Sequence, residues 1–252
     1  MIALQSSLEH CMSCGVRPRS VCSAMDCADL GRLSALAQIV EIPAGRTFIE
    51  EGMPADCFFN VTAGTARLVK LLANGRRQIT GFADPGQFLG LAASVTYGFS
   101  AEAISDMTLC RFSRPRLRSL LDEFPVLSRR MLDIAGAELA VAQEQMLLLG
   151  RKTARERVAS FLANRMSESS AEGVHLHLPM SRADIADYLG LTIETVSRTF
   201  TRLRNDGLIG TPTATDVVAL DPLALASLAS GDDEATEPGL APFPALLAAG
   251  RR

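Results

Sequence analysis

Glycines punctuate the stretch from Val40 to Phe112, among them Gly45, Gly52, Gly64, Gly75, Gly81, Gly86 and Gly90, and then the pattern stops. From Val126 to Gly150 there is no proline, and Gly136 is the one interior glycine. Glycine at that frequency breaks a chain into short strands joined by turns, whereas its near-absence lets a helix run on. Asn74-Gly75 falls between two strand-like runs, Ala66–Leu72 and Arg76–Phe82, which is the strongest short-range signal for a hairpin. Many short strands with frequent turns predict a small antiparallel barrel or sandwich. In the helical stretch that follows, Leu132, Ala135, Leu139, Ala142, Met146 and Leu149 are apolar at spacings of 3, 4, 3, 4 and 3. That is the a/d stripe of a coiled-coil seam, and it predicts a homodimer. A helix lying on its own barrel would want a wider stripe, and Glu138 and Gln145 interrupt the next-best one. The fold class expected is therefore α+β.

Composition excludes several alternatives. With 252 residues, 48% of them hydrophobic, 21% charged and a mean hydropathy of +0.18, the chain can bury a core without disulfide or metal staples and is not mostly disordered. The longest uncharged stretch, Pro85–Ala101, contains three glycines and several polar residues, so no membrane span is expected. The opening Met-Ile-Ala-Leu-Gln-Ser-Ser has neither a basic lead-in nor an apolar core, so it does not read as a secretion signal, and a cytoplasmic location is expected. Charge is unevenly spread. Residues 1–150 carry 14 basic and 15 acidic side chains, residues 151–210 carry 9 and 7, and residues 211–252 carry 2 and 6. Only the middle segment is net positive.

That segment also holds a two-helix pattern. Ser181 with Asp184 three residues on fits a capping box at a helix start. Ala186, Gly190 and Val196 then have the spacing of a helix-turn-helix: a small residue where the helices touch, glycine for a left-handed turn, and an apolar residue in the second helix. Thr192 is a good N-cap for that second helix. Its faces separate. Val196, Phe200 and Leu203 share the inward side, while Glu194, Ser197, Arg198 and Thr201 share the other. Arginine can grip guanine with two bonds, a carboxylate can accept from the cytosine amino group, and serine can serve either, so the polar face suits a DNA major groove. Arg202, Arg204, Arg151, Lys152 and Arg155 are expected on the phosphates. The competing reading is a solvated helical hairpin that meets a protein partner.

Four of the six cysteines lie between Cys11 and Cys27, arranged Cys11-x2-Cys14-x7-Cys22 with Cys27 five residues later. In a reducing compartment such a cluster points to metal or redox chemistry, and four thiolates suit structural zinc or an iron–sulfur cluster. Spacing alone does not choose between them. Cys57 and Cys110 sit in strand-like surroundings, where a cysteine reads as a small buried hydrophobe. His175 and His177 alternate along a short strand and are expected at the surface, and His10 reads as incidental. No nucleophile–base grouping, phosphate loop or paired acids stand out, so no enzyme is expected.

Together these features resemble the FNR–CRP family of bacterial transcription regulators across about residues 10–228. The likeness rests on Arg76-Arg-Gln-Ile-Thr-Gly-Phe82, Gly86-Gln-Phe-Leu-Gly90, Met146-Leu-Leu-Leu149 and, above all, Gly190-Leu-Thr-Ile-Glu-Thr-Val-Ser-Arg198, which are similar to the oxygen-sensing FNR branch. The resemblance implies a cyclic-nucleotide-binding-like antiparallel β-roll, a long dimerisation helix and a C-terminal winged helix-turn-helix. The corresponding segments are a cysteine-rich leader (1–28), the β-roll (29–125), the dimer helix (126–150), the DNA-binding domain (151–228) and a disordered tail (229–252). It implies that Cys11, Cys14, Cys22 and Cys110 hold a [4Fe–4S] cluster, with Cys22 favoured over Cys27 by the x7 spacing of a recognised subgroup and Cys57 left to the core. It also implies that Glu194, Ser197 and Arg198 read TTGAT-type half-sites of a palindrome in double-stranded DNA, with Thr201 and Arg202 beside them in the DNA-binding set. The hairpin Ala73–Gln78 would then face RNA polymerase. Where the cyclic-AMP receptor has an Arg-Ser pair for the nucleotide phosphate, this chain has Phe99-Ser100, so no cyclic nucleotide is expected. Two alternatives are a regulator of this kind whose leader binds zinc or works as a thiol redox switch, and a nucleotide-binding scaffold whose C-terminal helices meet a protein.

Overall fold

A computed structural model describes residues 8–91, 95–168 and 174–231; of the disordered tail expected over 229–252, residues 229 and 230 instead end the last helix, and residues 232–252 lie outside the described ones. Residues 8–12 are helical, and two 3-10 turns follow at Arg17–Arg19 and Val21–Ala24. After the short helix α1 (Leu30–Ser34) come eight strands: β1 (Ala37–Ile42), β2 (Thr47–Ile49), β3 (Cys57–Ala63), β4 (Ala66–Leu71), β5 (Arg77–Ala83), β6 (Phe88–Leu89), β7 (Ser100–Ala103) and β8 (Met107–Ser113). They form two four-stranded antiparallel sheets, ordered β1-β8-β3-β6 and β2-β7-β4-β5, which is the expected β-roll. Ile49, Phe59, Val61, Ala66, Ala101 and Leu109, with others from both sheets, fill its interior.

Turn chemistry sets the register. The Asn74-Gly75 hairpin forms as predicted, with Gly75 at φ +80° and the Asn74 side chain accepting from the Arg76 amide at 3.1 Å. Gly64, between β3 and β4, has φ +77°, and a Cβ there would stand 2.3 Å from the Asp106 carbonyl oxygen, so no other residue fits.

Helix α2 (Arg114–Glu123) leads into α3 (Pro125–Arg151), whose 27 residues make a rod about 40 Å long. Pro125 opens it at a position where its missing N–H costs nothing. The C-terminal part contains α4 (Ala154–Glu168), β9 (His175–His177), α5 (Arg182–Leu189), α6 (Ile193–Asn205), β10 (Ile209–Gly210), β11 (Asp216–Ala219) and α7 (Pro222–Ser230). β10, β11 and β9 pair into a three-stranded antiparallel wing. The sequence reading did not anticipate α7, although Asp221 as N-cap followed by Pro222 is a start signal. Its Leu225 and Leu228 are buried in the C-terminal core. No helix among the described residues is long and apolar enough to cross a membrane.

Two further cores connect these parts. In one, Val21 and Met25 of the leader meet Leu30, Leu33, Phe88, Phe112, Leu117 and Leu120, together with Leu127 and Met131 from the first turns of α3. In the other, Val69, Ile79 and Phe82 from the outside of the β-roll and Leu148 from the end of α3 join the interior of the C-terminal domain.

Two glycine substitutions separate steric from backbone strain. Gly75→Ala meets open space and should cost about 1 kcal/mol for its left-handed backbone. Gly64→Ala adds a clash with backbone and should cost about 3 kcal/mol. Chemical denaturation of the two variants checks the difference; equal losses would mean that the β3–β4 turn relaxes around a methyl group.

Candidate nucleic-acid interface and thiol site

Helices α5 and α6 are built as their sequence implies. The Ser181 hydroxyl accepts from the Asp184 amide at 3.1 Å, and the Asp184 carboxylate accepts from the Ser181 amide at 3.0 Å, completing the capping box. Gly190 ends α5 at φ +62°, and the Thr192 hydroxyl caps α6 by accepting from the Thr195 amide at 3.2 Å. Val196, Thr199, Phe200 and Leu203 are buried, whereas Glu194, Ser197, Arg198, Thr201 and Arg202 are exposed along one face. The Glu194 carboxyl is held below its ordinary value by a backbone amide hydrogen bond and the Thr192 hydroxyl, with help from the Arg198 charge. It therefore stays an ionised acceptor beside an arginine donor.

Of the cations expected on phosphates, two are used elsewhere. The Lys152 ammonium donates to the Ser160 hydroxyl at 2.9 Å and to the Ala229 carbonyl at 2.7 Å, tying α4 to the end of α7. Arg155 pairs with Asp206 at 2.9 Å, fastening α4 to the end of α6. Arg204 is exposed on α6, and Arg182 stacks over the Phe200 ring at 3.4 Å. Both line a recess of about 170 Å³ beside Ser197 and Thr201, where a phosphate-sized anion would meet two cations. Arg182 carries no local mark of an interface residue, because it lies inside the capping box between Ser181 and Asp184. His175 and His177 are exposed on the wing, and His177 contacts Asp216 at 2.8 Å.

The seam residues lie where a partner could reach them. Leu132 is 72% exposed, Leu139 60% and Met146 65%, and Ala135 and Ala142 are also exposed. The stripe does not lie on the β-roll of its own chain. Leu149, expected at the end of the seam, instead is partly buried against the C-terminal core, where α3 runs under the turn at Gly190.

The thiols sort into two groups. Cys110 is buried in the leader core, and Cys11 and Cys22 pack against the same core. Burial, followed by the neighbouring charges of Cys22, Cys11 and Cys14, pushes the Cys110 thiol up to about 12. The Cys11 thiol is pushed up to about 11 by burial and by Cys22 and Cys14, and burial raises Cys22 as well. Cys11, Cys14, Cys22 and Cys110, from the leader and from β8, thus share one neighbourhood. Cys27 is exposed, with the Arg17 guanidinium 3.9 Å from its sulfur, and Cys57 packs on the β-roll interior. Among the described residues no three Cys, His, Asp or Glu side chains converge tightly enough for a single ion.

A third set of contacts joins the two halves of the chain. The Asp184 carboxylate, only 3% exposed, accepts from Arg67 at 3.1 Å and Arg77 at 2.9 Å, both on the β4–β5 hairpin. Burial pushes its carboxyl up, but the Ser181 hydrogen bonds and the two arginine charges outweigh that and hold it below the ordinary carboxylate value. Arg77 and Gln78, expected to face a polymerase, are thus turned onto the chain's own C-terminal domain, while Arg76 at the tip is exposed.

Comparison with known proteins agrees with this architecture. Residues 39–124 match the family described as cyclic nucleotide-binding domain, and residues 178–209 match that described as bacterial regulatory proteins, crp family. The nitrogen fixation regulation protein FixK of Bradyrhizobium diazoefficiens is 42% identical over 91% of this chain and 98% of its own. The transcriptional activatory protein AadR of Rhodopseudomonas palustris is 47% identical over 78% of this chain and 83% of its own. The solved structure of FixK2 from Bradyrhizobium japonicum superposes with a TM-score of 0.73 at 37% identity, covering 76% of this chain and 96% of that one.

The burial of the thiols sets an order of reactivity, since the thiolate is the reactive form. Brief iodoacetamide treatment of metal-free protein near pH 7.5 should label Cys27 first and Cys110 last, with Cys11 and Cys22 between, as read by peptide mass spectrometry. Labelling of Cys110 as fast as Cys27 would contradict the arrangement.

Proposed function

The chain belongs to the FNR–CRP family of bacterial transcription regulators, whose members bind DNA and typically dimerise, and from that premise we propose that it is an oxygen-responsive regulator of anaerobic or microaerobic genes, acting in the cytoplasm. The observation that carries the proposal is the shared neighbourhood of Cys11, Cys14 and Cys22 from the leader and Cys110 from β8, with Cys27 and Cys57 outside it.

The donor set fits a [4Fe–4S] cluster, which would supply a group that oxygen destroys. Four thiolates supply one ligand to each iron of a cubane. Burial disfavours the thiolates of Cys11, Cys22 and Cys110, so a bound cationic group would favour their ionised forms, and its bonds to Cys11, Cys14, Cys22 and Cys110 would tie the leader to β8. Val21 and Met25 carry that order to Leu127 and Met131 at the start of α3. The exposed stripe from Leu132 to Met146 then pairs with a second copy.

In such a dimer two α6 helices would enter adjacent major grooves about one DNA turn apart. Glu194, Ser197 and Arg198, with Thr201, would read TTGAT-type half-sites, and Arg202, Arg204 and Arg182 would hold phosphates. A cyclic nucleotide has no place in this reading, because Phe99 offers no charge to a phosphate. Arg76 and the hairpin tip remain the surface assigned to RNA polymerase.

Anaerobic purification followed by iron and sulfide analysis tests the signal. About four of each per chain, with a visible absorption band that bleaches in air, are expected; zinc without iron would overturn the cluster while leaving the DNA reading. Arg198→Ala should lose about 1–3 kcal/mol of affinity and relax preference at one base position. Fluorescence anisotropy on single-substituted palindromes reads this, and unchanged affinity would remove Arg198 from the readout.

A further inference from the structure

We infer that Arg77 and Gln78 of the β-roll are positioning residues for the recognition helix: by clamping α5 they set the distance between the two α6 helices of a dimer, and so the half-site spacing that it accepts. The inference rests on the DNA-binding reading of α6 and adds to it the residues that decide its geometry.

The C-terminal domain leaves α3 through Lys152 and Thr153, a short connection that by itself would let the domain swing. Apolar packing opposes this. Phe82 of β5 lies 5.3 Å from Tyr188 and 6.3 Å from Phe161, ring centre to ring centre. Such contacts hold two bodies together but do not specify one angle between them. The polar contacts do. The Arg77 guanidinium spans two carboxylates of α5, donating to Asp187 at 2.5 Å and to Asp184 at 2.9 Å. Gln78 donates to the Asp187 carbonyl at 2.6 Å, and Gln145 of α3 donates to the Tyr188 carbonyl at 2.9 Å. Arg67 completes the set, reaching Asp184 at 3.1 Å while its other side is held by Glu102 at 2.7 Å. A planar fork on two carboxylates one helical turn apart tolerates little rotation of that helix.

Beyond this clamp the chain is stiff. Ile185, Ala186 and Leu189 of α5 share one core with Val196, Phe200 and Leu203 of α6, and the turn at Gly190 is fixed between them. An angle imposed on α5 is therefore passed to α6. With α3 as the dimer seam, that angle decides how far each α6 stands from the two-fold axis, and half-site spacing is a direct geometric consequence. Arg77 touches no DNA in this scheme; it acts through α5.

The test uses full-length protein, purified without air, and a series of duplexes carrying two TTGAT half-sites at the optimal centre-to-centre spacing of about 10 base pairs or displaced by one or two. The wild-type chain is expected to bind one spacing at least tenfold more tightly than its neighbours. Arg77→Met and Gln78→Leu should each lower that ratio threefold or more, chiefly by losing affinity for the optimal duplex. Arg77→Met combined with Asp187→Asn should be little worse than the weaker single variant, and Arg77→Lys should recover part of the ratio. A uniform loss across all spacings, or an unchanged ratio, would overturn the positioning role. Should Arg77→Met fail to fold by circular dichroism, Gln78→Leu carries the comparison. A wild-type chain that retains no palindrome over unrelated duplex would instead overturn the DNA reading itself, and this inference with it.

Discussion

Leu127 and Met131 in the first turns of α3 are buried with the cysteine leader, Leu148 near its end is buried with the DNA-binding domain, and Leu132, Leu139 and Met146 between them face solvent. A helix fixed at both ends and bare along its middle can do two things. It transmits order from one core to the other as a rigid rod, and it offers an apolar stripe that water disfavours. Single exposed leucines are ordinary, but a regular stripe on one rod is a surface waiting for a copy of itself. The fold thus places the cysteine leader, the exposed apolar stripe and the DNA-binding domain along one element.

At the leader end the controlling physics is the cost of a buried anion. Cys110 and Cys22 lie where desolvation opposes ionisation, and each additional thiolate nearby makes the next one harder to form. Burial favours the neutral thiols of Cys11, Cys22 and Cys110, and the leader is held by Val21, Met25 and a few hydrogen bonds such as that from Arg130 to the Arg19 carbonyl. In the proposed cluster-bound form the same crowding would become favourable, because four thiolates would share a common counterion. On that proposal occupancy and leader order would be linked, and the contact that would carry the linkage is the packing of Val21 and Met25 against Leu127 and Met131.

Local chemistry in the sequence gave away most of the local structure. The Asn74-Gly75 hairpin, the Ser181–Asp184 capping box, the left-handed Gly190 and the two faces of α6 each depend on residues a few positions apart, so a short window holds the whole signal. The errors came from longer range. Lys152 and Arg155 look like phosphate ligands in a basic run, yet their partners Ala229 and Asp206 lie far along the chain and claim them. Leu149 continues the heptad by spacing but is taken by the C-terminal core. The grouping of Cys110 with the leader had no local signal; it came only through family resemblance, because nothing in Met107–Ser113 marks that strand as facing residues 11–22.

Asp184 shows how one carboxylate can bind these scales together. One oxygen closes the capping box that starts α5, and the other receives Arg67 and Arg77 from a domain more than a hundred residues away. A capping residue usually faces water and is worth about 1 kcal/mol. Here it is buried, and its negative charge would be costly if the arginines were withdrawn. The start of the reading motif is therefore best satisfied only when the β-roll is docked against it. A free DNA-binding domain would have to rehydrate that carboxylate, so the domain's preferred orientation is favoured by the same atoms that begin its first helix. The β-roll and the reading motif are joined at that carboxylate as well as along α3, and a change in the angle of the β-roll would be felt at the N-terminus of α5 before it reached the bases.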